Sequence, residues 1–183
     1  MHEYVLPLRV EDGMNKKTRS LTLSALFAAL TVISLYVASV WPTGLFGLVA
    51  FASMFGAAIV VEVGITHSFC VYIVSSVLGL MLLPNKAAPL LYAFFFGYYS
   101  AVKSLIERID NKVILQWVLK LMVFNVALTV IWFLFGKLIY NFGENPPNLI
   151  LLYLGGSIVF ALFDYGYTKV IWLYINRVSK HIR

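Results

Sequence analysis

Asp164 is the residue best placed to do chemistry in this chain. It sits in the middle of a long apolar run, about 16 residues from one end and 12 from the other. A carboxylate at the centre of a bilayer costs ~2.5–3.5 kcal/mol or more unless it is paired or hydrated, so it must face the interior of a helix bundle. Two roles are open for it: a polar contact to substrate or a gating group, or a structural pair with a lysine. Lys169 is a poor partner, because five residues turn a helix by about 140°. Lys120 lies at a similar depth on another run. Lys120 and Lys137 stand 17 residues apart, about 25 Å along a helix, so both are expected to reach the membrane interfaces by extending their side chains.

Metal and nucleophile chemistry find little support. Glu62 and His67 flank one turn, but the other histidines, His2 and His181, lie in the tails, and no HExxH or cysteine–histidine cluster occurs. A metal site would need more ligands within reach. Cys70, the one cysteine, reads as an apolar filler. A small-ligand site is better supplied at one rim. Trp41, Thr43, Asn85, Lys86, Tyr92, Trp132, Tyr140, Asn141, Glu144, Asn145 and Tyr153 combine aromatic walls with a few polar groups, the usual makings of a pocket. For any single residue an interfacial aromatic belt explains as much. Asn125 adds an uncharged polar group inside a helix, expected to face another helix. The candidate substrate-binding set is therefore Trp41, Asn85, Lys86, Tyr92, Asn125, Trp132, Tyr140, Asn141, Tyr153 and Asp164. No residue is assigned as catalytic, none as metal-ligating, and no cofactor is implied.

The elements that must position these groups follow from composition. Of 183 residues, 61% are hydrophobic and 12% charged, and mean hydropathy is +0.88. Soluble domains sit near 45–50% apolar and about 25% charged. The expectation is an all-α polytopic membrane protein. Six runs qualify as spans: Leu21–Val40, Leu45–Val61, Ile65–Leu83, Pro89–Val102, Val113–Tyr140 and Leu149–Ile175. The breaks between them carry turn chemistry, as in Trp41-Pro42-Thr43-Gly44, Pro84-Asn85-Lys86 and the stretch Asn141 to Asn148. Residues 1–20 form a polar lead-in, 21–176 one six-helix domain and 177–183 a tail. The first run is long enough to span, and no small-residue cleavage site follows it, so it reads as a retained helix rather than a signal peptide.

Orientation follows from lysine and arginine. Residues 1–20, 103–112 and 177–183 hold four, three and three of the 14 basic residues. Six alternating spans put these segments on one side. Both termini are thus expected to be cytoplasmic. The charge of +6 is explained by that topology, with no basic face on a soluble domain to suggest nucleic acid. No repeat relates residues 1–92 to 93–183, which argues against a self-sufficient carrier built from inverted repeats. An intramembrane enzyme would need several convergent ionisable groups, and Asp164 alone reads as deep.

Small residues recur four apart at Ala25 and Ala29, at Ala52 and Gly56, and around Gly155-Gly156-Ser157 with Ala161. Such spacing leaves a shallow groove for another backbone, within the chain or from a partner. The opening Lys16-Lys17-Thr18-Arg19, then Leu21-Thr22-Leu23-Ser24-Ala25-Leu26-Phe27-Ala28-Ala29-Leu30, resembles the start of substrate-binding S components of energy-coupling factor (ECF) vitamin transporters. The six-span layout resembles them too. The resemblance implies that Ala25 and Ala29 dock onto a transmembrane scaffold subunit bearing two cytoplasmic ATPases. It also implies capture of a vitamin-like micronutrient at the extracellular face, and a place in the bacterial plasma membrane. The chain has no GxxxxGK[ST] motif, so ATP hydrolysis would come from those partners. The alternative is a membrane scaffold subunit of the rod-shape-determining MreD type, with no small-molecule ligand.

Overall fold

The computed structural model describes the backbone of residues 8–109, 113–140 and 148–179, and leaves aside the side chains of 8–15, 42, 109, 134–140 and 178–179 within it. Everything described is helix or short connection, with no strand among the described residues. Helix α1 runs over Leu8–Val40, well upstream of the expected start at Leu21. It is followed by α2 over Leu45–Glu62, α3 over Ile65–Leu82, α4 over Ala87–Leu91, α5 over Gly97–Ile109, α6 over Val113–Tyr140 and α7 over Leu149–Tyr174. Among the described residues, five stretches are long and apolar enough to cross a membrane: Lys16–Val40, Leu45–Glu62, Ile65–Leu82, Val113–Phe133 and Leu149–Arg177. The chain is a multi-pass helical membrane protein.

The expected span Pro89–Val102 takes a different form. A π turn over Tyr92–Phe96 joins α4 to α5, so residues 87–109 are helical throughout but carry one widened turn. Such turns recur at functional sites. This run is the hub of the bundle. Tyr92, Phe95, Tyr99, Ala101, Lys103 and Ile106 are all buried, and the run packs on α2, α3, α6 and, through α4, on α1.

The connections have local causes. Gly64, between α2 and α3, has φ of 122°, a conformation that side chains with a Cβ rarely adopt. After Pro84, the Asn85 Oδ1 accepts from the Ala87 backbone N–H at 2.9 Å, satisfying a donor at the start of α4. The Asn148 side chain does the same for Ile150 at the start of α7. Close packing follows the small residues of α2. Ala52 and Gly56 are buried, and a Cβ on Gly56 would lie 2.8 Å from Ser100 Oγ of α5. The groove on α2 is thus used within the chain. In α7, Gly156 takes the ring of Phe124 from α6, 3.2 Å from where its Cβ would be.

Candidate functional site

Asp164 is 2% exposed on α7, and Lys103 and Lys120 are 2% and 5% exposed on α5 and α6. The spacing of α5 explains why they meet. Tyr99, Lys103 and Glu107 follow one another at four-residue steps, which line one face of a helix. That face turns toward α7, where Asp164, Tyr167 and Thr168 share the opposing side. The Lys103 Nζ donates to Asp164 Oδ1 at 2.6 Å and to Thr168 Oγ1 at 2.9 Å. The Tyr99 hydroxyl donates to the same Oδ1 at 2.6 Å. From α6, Lys120 Nζ reaches Asp164 Oδ2 at 3.2 Å and Glu107 Oε1 at 2.8 Å. Lys103 also pairs with that Oε1 at 2.9 Å.

Two ammonium groups and two carboxylates therefore form a closed set of zero net charge that joins α5, α6 and α7. Bonds this short between charged partners are the strong kind, and a neutral set avoids the full cost of isolated charges in a low dielectric. Aromatic rings seal the side toward the bundle centre. Tyr99 meets Phe160 edge-on at 5.5 Å and lies 5.4 Å from Phe95, while Phe124 of α6 stacks on Phe160 at 4.8 Å. Tyr167, buried, donates to the Ser53 carbonyl of α2 at 3.0 Å, which ties the cluster to a fourth helix. Glu107, with 40% of its side chain exposed, is the member that reaches the surface. No group of three or more metal-ligating side chains occurs among the described residues.

Two expectations need correction. Lys120 does not extend to an interface: it is buried and paired, with the Trp117 ring 5.8 Å from its ammonium. Lys103 and Glu107, expected in the charged segment 103–112 beyond the fourth run, are members of α5, and Lys103 and Lys120 join Asp164 as deep ionisable groups. The pairing of Asp164 with Lys120 holds, though Lys103 makes the shorter contact. The available signal was the Tyr99, Lys103, Glu107 periodicity, hidden because these residues adjoin a charged connection.

The rim residues do not converge in the same way. Trp41 is 65% exposed at the end of α1. Asn85 is held by Ser39 through its backbone N–H at 3.0 Å and carbonyl at 3.1 Å. Lys86 Nζ donates to the Leu80 and Leu83 carbonyls at 2.8 and 2.7 Å, capping the end of α3 as a cation should. Tyr92 is fully buried, in the core shared by α1, α2 and α4. Asn125 donates to the Leu121 carbonyl of its own helix at 2.8 Å, rather than to a neighbouring helix. Tyr153 and Thr129 share a hydroxyl contact at 2.8 Å between α7 and α6. Trp132 is half-buried on α6. The Tyr140 side chain, Asn141, Glu144 and Asn145 lie outside the described residues.

The two faces of α1 divide clearly. Ser24, Ala28, Thr31 and Leu35 are buried, whereas Ala25 and Ala29 are exposed. The small-residue pair is therefore turned away from the bundle. Compared with known protein families, with curated proteins and with solved structures, the chain matches none.

Proposed function

We propose that the chain is a substrate-capturing membrane subunit that depends on partners for energy. In this reading residues 87–109 form the fourth of six spans, and both ends lie on the basic, cytoplasmic side of a bacterial plasma membrane. A vitamin-like micronutrient is captured at the opposite face. A transmembrane scaffold subunit with two cytoplasmic ATPases drives its uptake. The observation that carries the reading is the outward turn of Ala25 and Ala29. Small side chains four apart that are not used inside the bundle offer close backbone approach to a partner helix. The resemblance of the first helix to ECF S components supplies the kind of partner.

A second reading, a scaffold subunit without ligand, draws support from the rim. Asn85 and Lys86 are engaged in local hydrogen bonds and Tyr92 is buried, so three candidate ligand contacts serve the fold. Native mass spectrometry of gently extracted protein separates the two. A bound small molecule together with scaffold and ATPase subunits is the expected result. Partner subunits with no small molecule, before and after incubation with a vitamin mixture, would favour the scaffold reading. Ala25→Leu with Ala29→Leu should abolish the association while leaving the isolated chain folded. Retained association overturns the docking assignment.

A further inference from the structure

Helix α7 buries one side and leaves the other exposed. Phe160, Asp164 and Tyr167 are its buried residues, and Lys169 stands about 140–180° around the helix from all three. Gly155, Ile158, Leu162 and Gly166 lie within about 60° of Lys169, and all five are exposed. Only 11% of the most apolar stretch of α7 is buried, against 28% to 39% in α1, α2 and α3, so this flank of the bundle is thinly covered. An exposed apolar face is ordinary in a bilayer. A lysine on it is not, because ionisable side chains inside a membrane pair with an opposite charge or face the bundle.

Lys169 lies eight residues, about 12 Å, inside Arg177 at the end of the span. Its ammonium sits 5.6 Å from the Tyr165 ring, one turn closer to mid-span, as the lean of helical side chains toward the N-terminus requires. A lysine reaching for lipid phosphate would extend the other way, toward Arg177. No carboxylate pairs with Lys169 among the described residues. Beside it, a Cβ on Gly166 would meet nothing within 4 Å, and the same holds for Gly155 three turns away. Gly156, by contrast, is taken by Phe124 within the chain. Open notches of this kind let a second helix backbone approach closely. A second copy of this chain does not supply the missing acid from its described residues. Asp164 and Glu107 are held by Lys103 and Lys120, and Glu62 stands at the end of α2 beside Tyr174.

We propose that this face of α7 docks a transmembrane helix of a different protein, one that carries an Asp or Glu within its apolar run. That carboxylate pairs with Lys169 while the helix packs over Gly155 and Gly166. Helix α7 does not touch α1, so the surface is separate from Ala25 and Ala29 and does not rest on their role. The test is Ile158→benzoylphenylalanine in the full chain, photolysed in native membranes, with the cross-linked peptide sequenced by mass spectrometry. The expected adduct is a peptide of another protein whose apolar run holds an Asp or Glu. Lys169→Met should lower its yield about tenfold or more, and Lys169→Arg should preserve it. Both variants should melt within a few degrees of the parent in detergent, since the described partner of that side chain is the Tyr165 ring alone. Replacing the partner's carboxylate by its amide should lower the yield as much as Lys169→Met, and the two changes together should lower it no further. A lipid adduct alone, a peptide of this chain, a peptide without an intramembrane acid, or a yield indifferent to Lys169→Met overturns the proposal.

Discussion

Replacing Lys103 by Met tests the charge cluster most directly. The native set balances Lys103 and Lys120 against Asp164 and Glu107. Lys103→Met keeps the unbranched shape but leaves one uncompensated negative charge at a position 2% exposed. Breaking a buried pair by removing one partner costs about 3–5 kcal/mol. For a chain of this size each kcal/mol moves Tm by roughly 2–4 °C, so a fall on the order of 6–20 °C is expected. Asp164→Asn alone leaves one extra positive charge and should fall by a comparable amount. Lys103→Met with Asp164→Asn restores neutrality, keeps the Lys120–Glu107 pair, and lets the Asn side chain still accept from Tyr99. Exchange of a whole buried pair for uncharged groups is often near neutral. The double variant should therefore melt within about 1–2 kcal/mol of the parent, a coupling of at least about 2 kcal/mol between the sites. The assay is loss of the monodisperse chromatographic peak on heating detergent-solubilised protein, with helix content of each variant checked by circular dichroism. If the double variant melts as low as the worse single one, charge balance is not what the cluster contributes.

Other substitutions separate neighbouring contributions in the same melting assay. Tyr99→Phe removes a hydroxyl bonded to a carboxylate and should cost about 1.5–3 kcal/mol. Tyr92→Phe should be neutral or stabilising, because its buried hydroxyl has no hydrogen-bond partner among the described residues and removing it removes a desolvated polar group. Gly97→Ala would place a Cβ 2.5 Å from the Tyr72 ring and 2.8 Å from that of Tyr92, an overpacking expected to cost about 1–3 kcal/mol. Gly155→Ala meets nothing within 4 Å and should gain about 0.5–1 kcal/mol from the lower entropy cost of alanine in a helix.

Much of the architecture was legible in composition and spacing. Long apolar runs must be helices in a bilayer, since every backbone N–H and C=O has to be satisfied within its own segment. The turn residues at Pro42-Thr43-Gly44 and Pro84-Asn85 and the stretch ending at Asn148 mark breaks between those helices. Hence α2, α3 and α7 begin within a residue of the expected positions. The π turn at Tyr92–Phe96 was not legible, because a single widened turn is set by the rings packed around it rather than by a local signal.

The site divides along the same physical line. That Asp164 needs a partner follows from its residue type and depth alone, because an isolated carboxylate in hydrocarbon is too costly to keep. Which partner it takes does not follow. Lys103 and Lys120 sit 61 and 44 residues away in sequence, and only the packing of α5 and α6 against α7 decides that both reach it. The rim shows the reverse case. Asn85, Lys86 and Tyr153 have side chains suited to a ligand, but the helix ends and the α6–α7 contact claim their hydrogen bonds first. Residue type determines which groups must be satisfied; the tertiary structure determines what satisfies them.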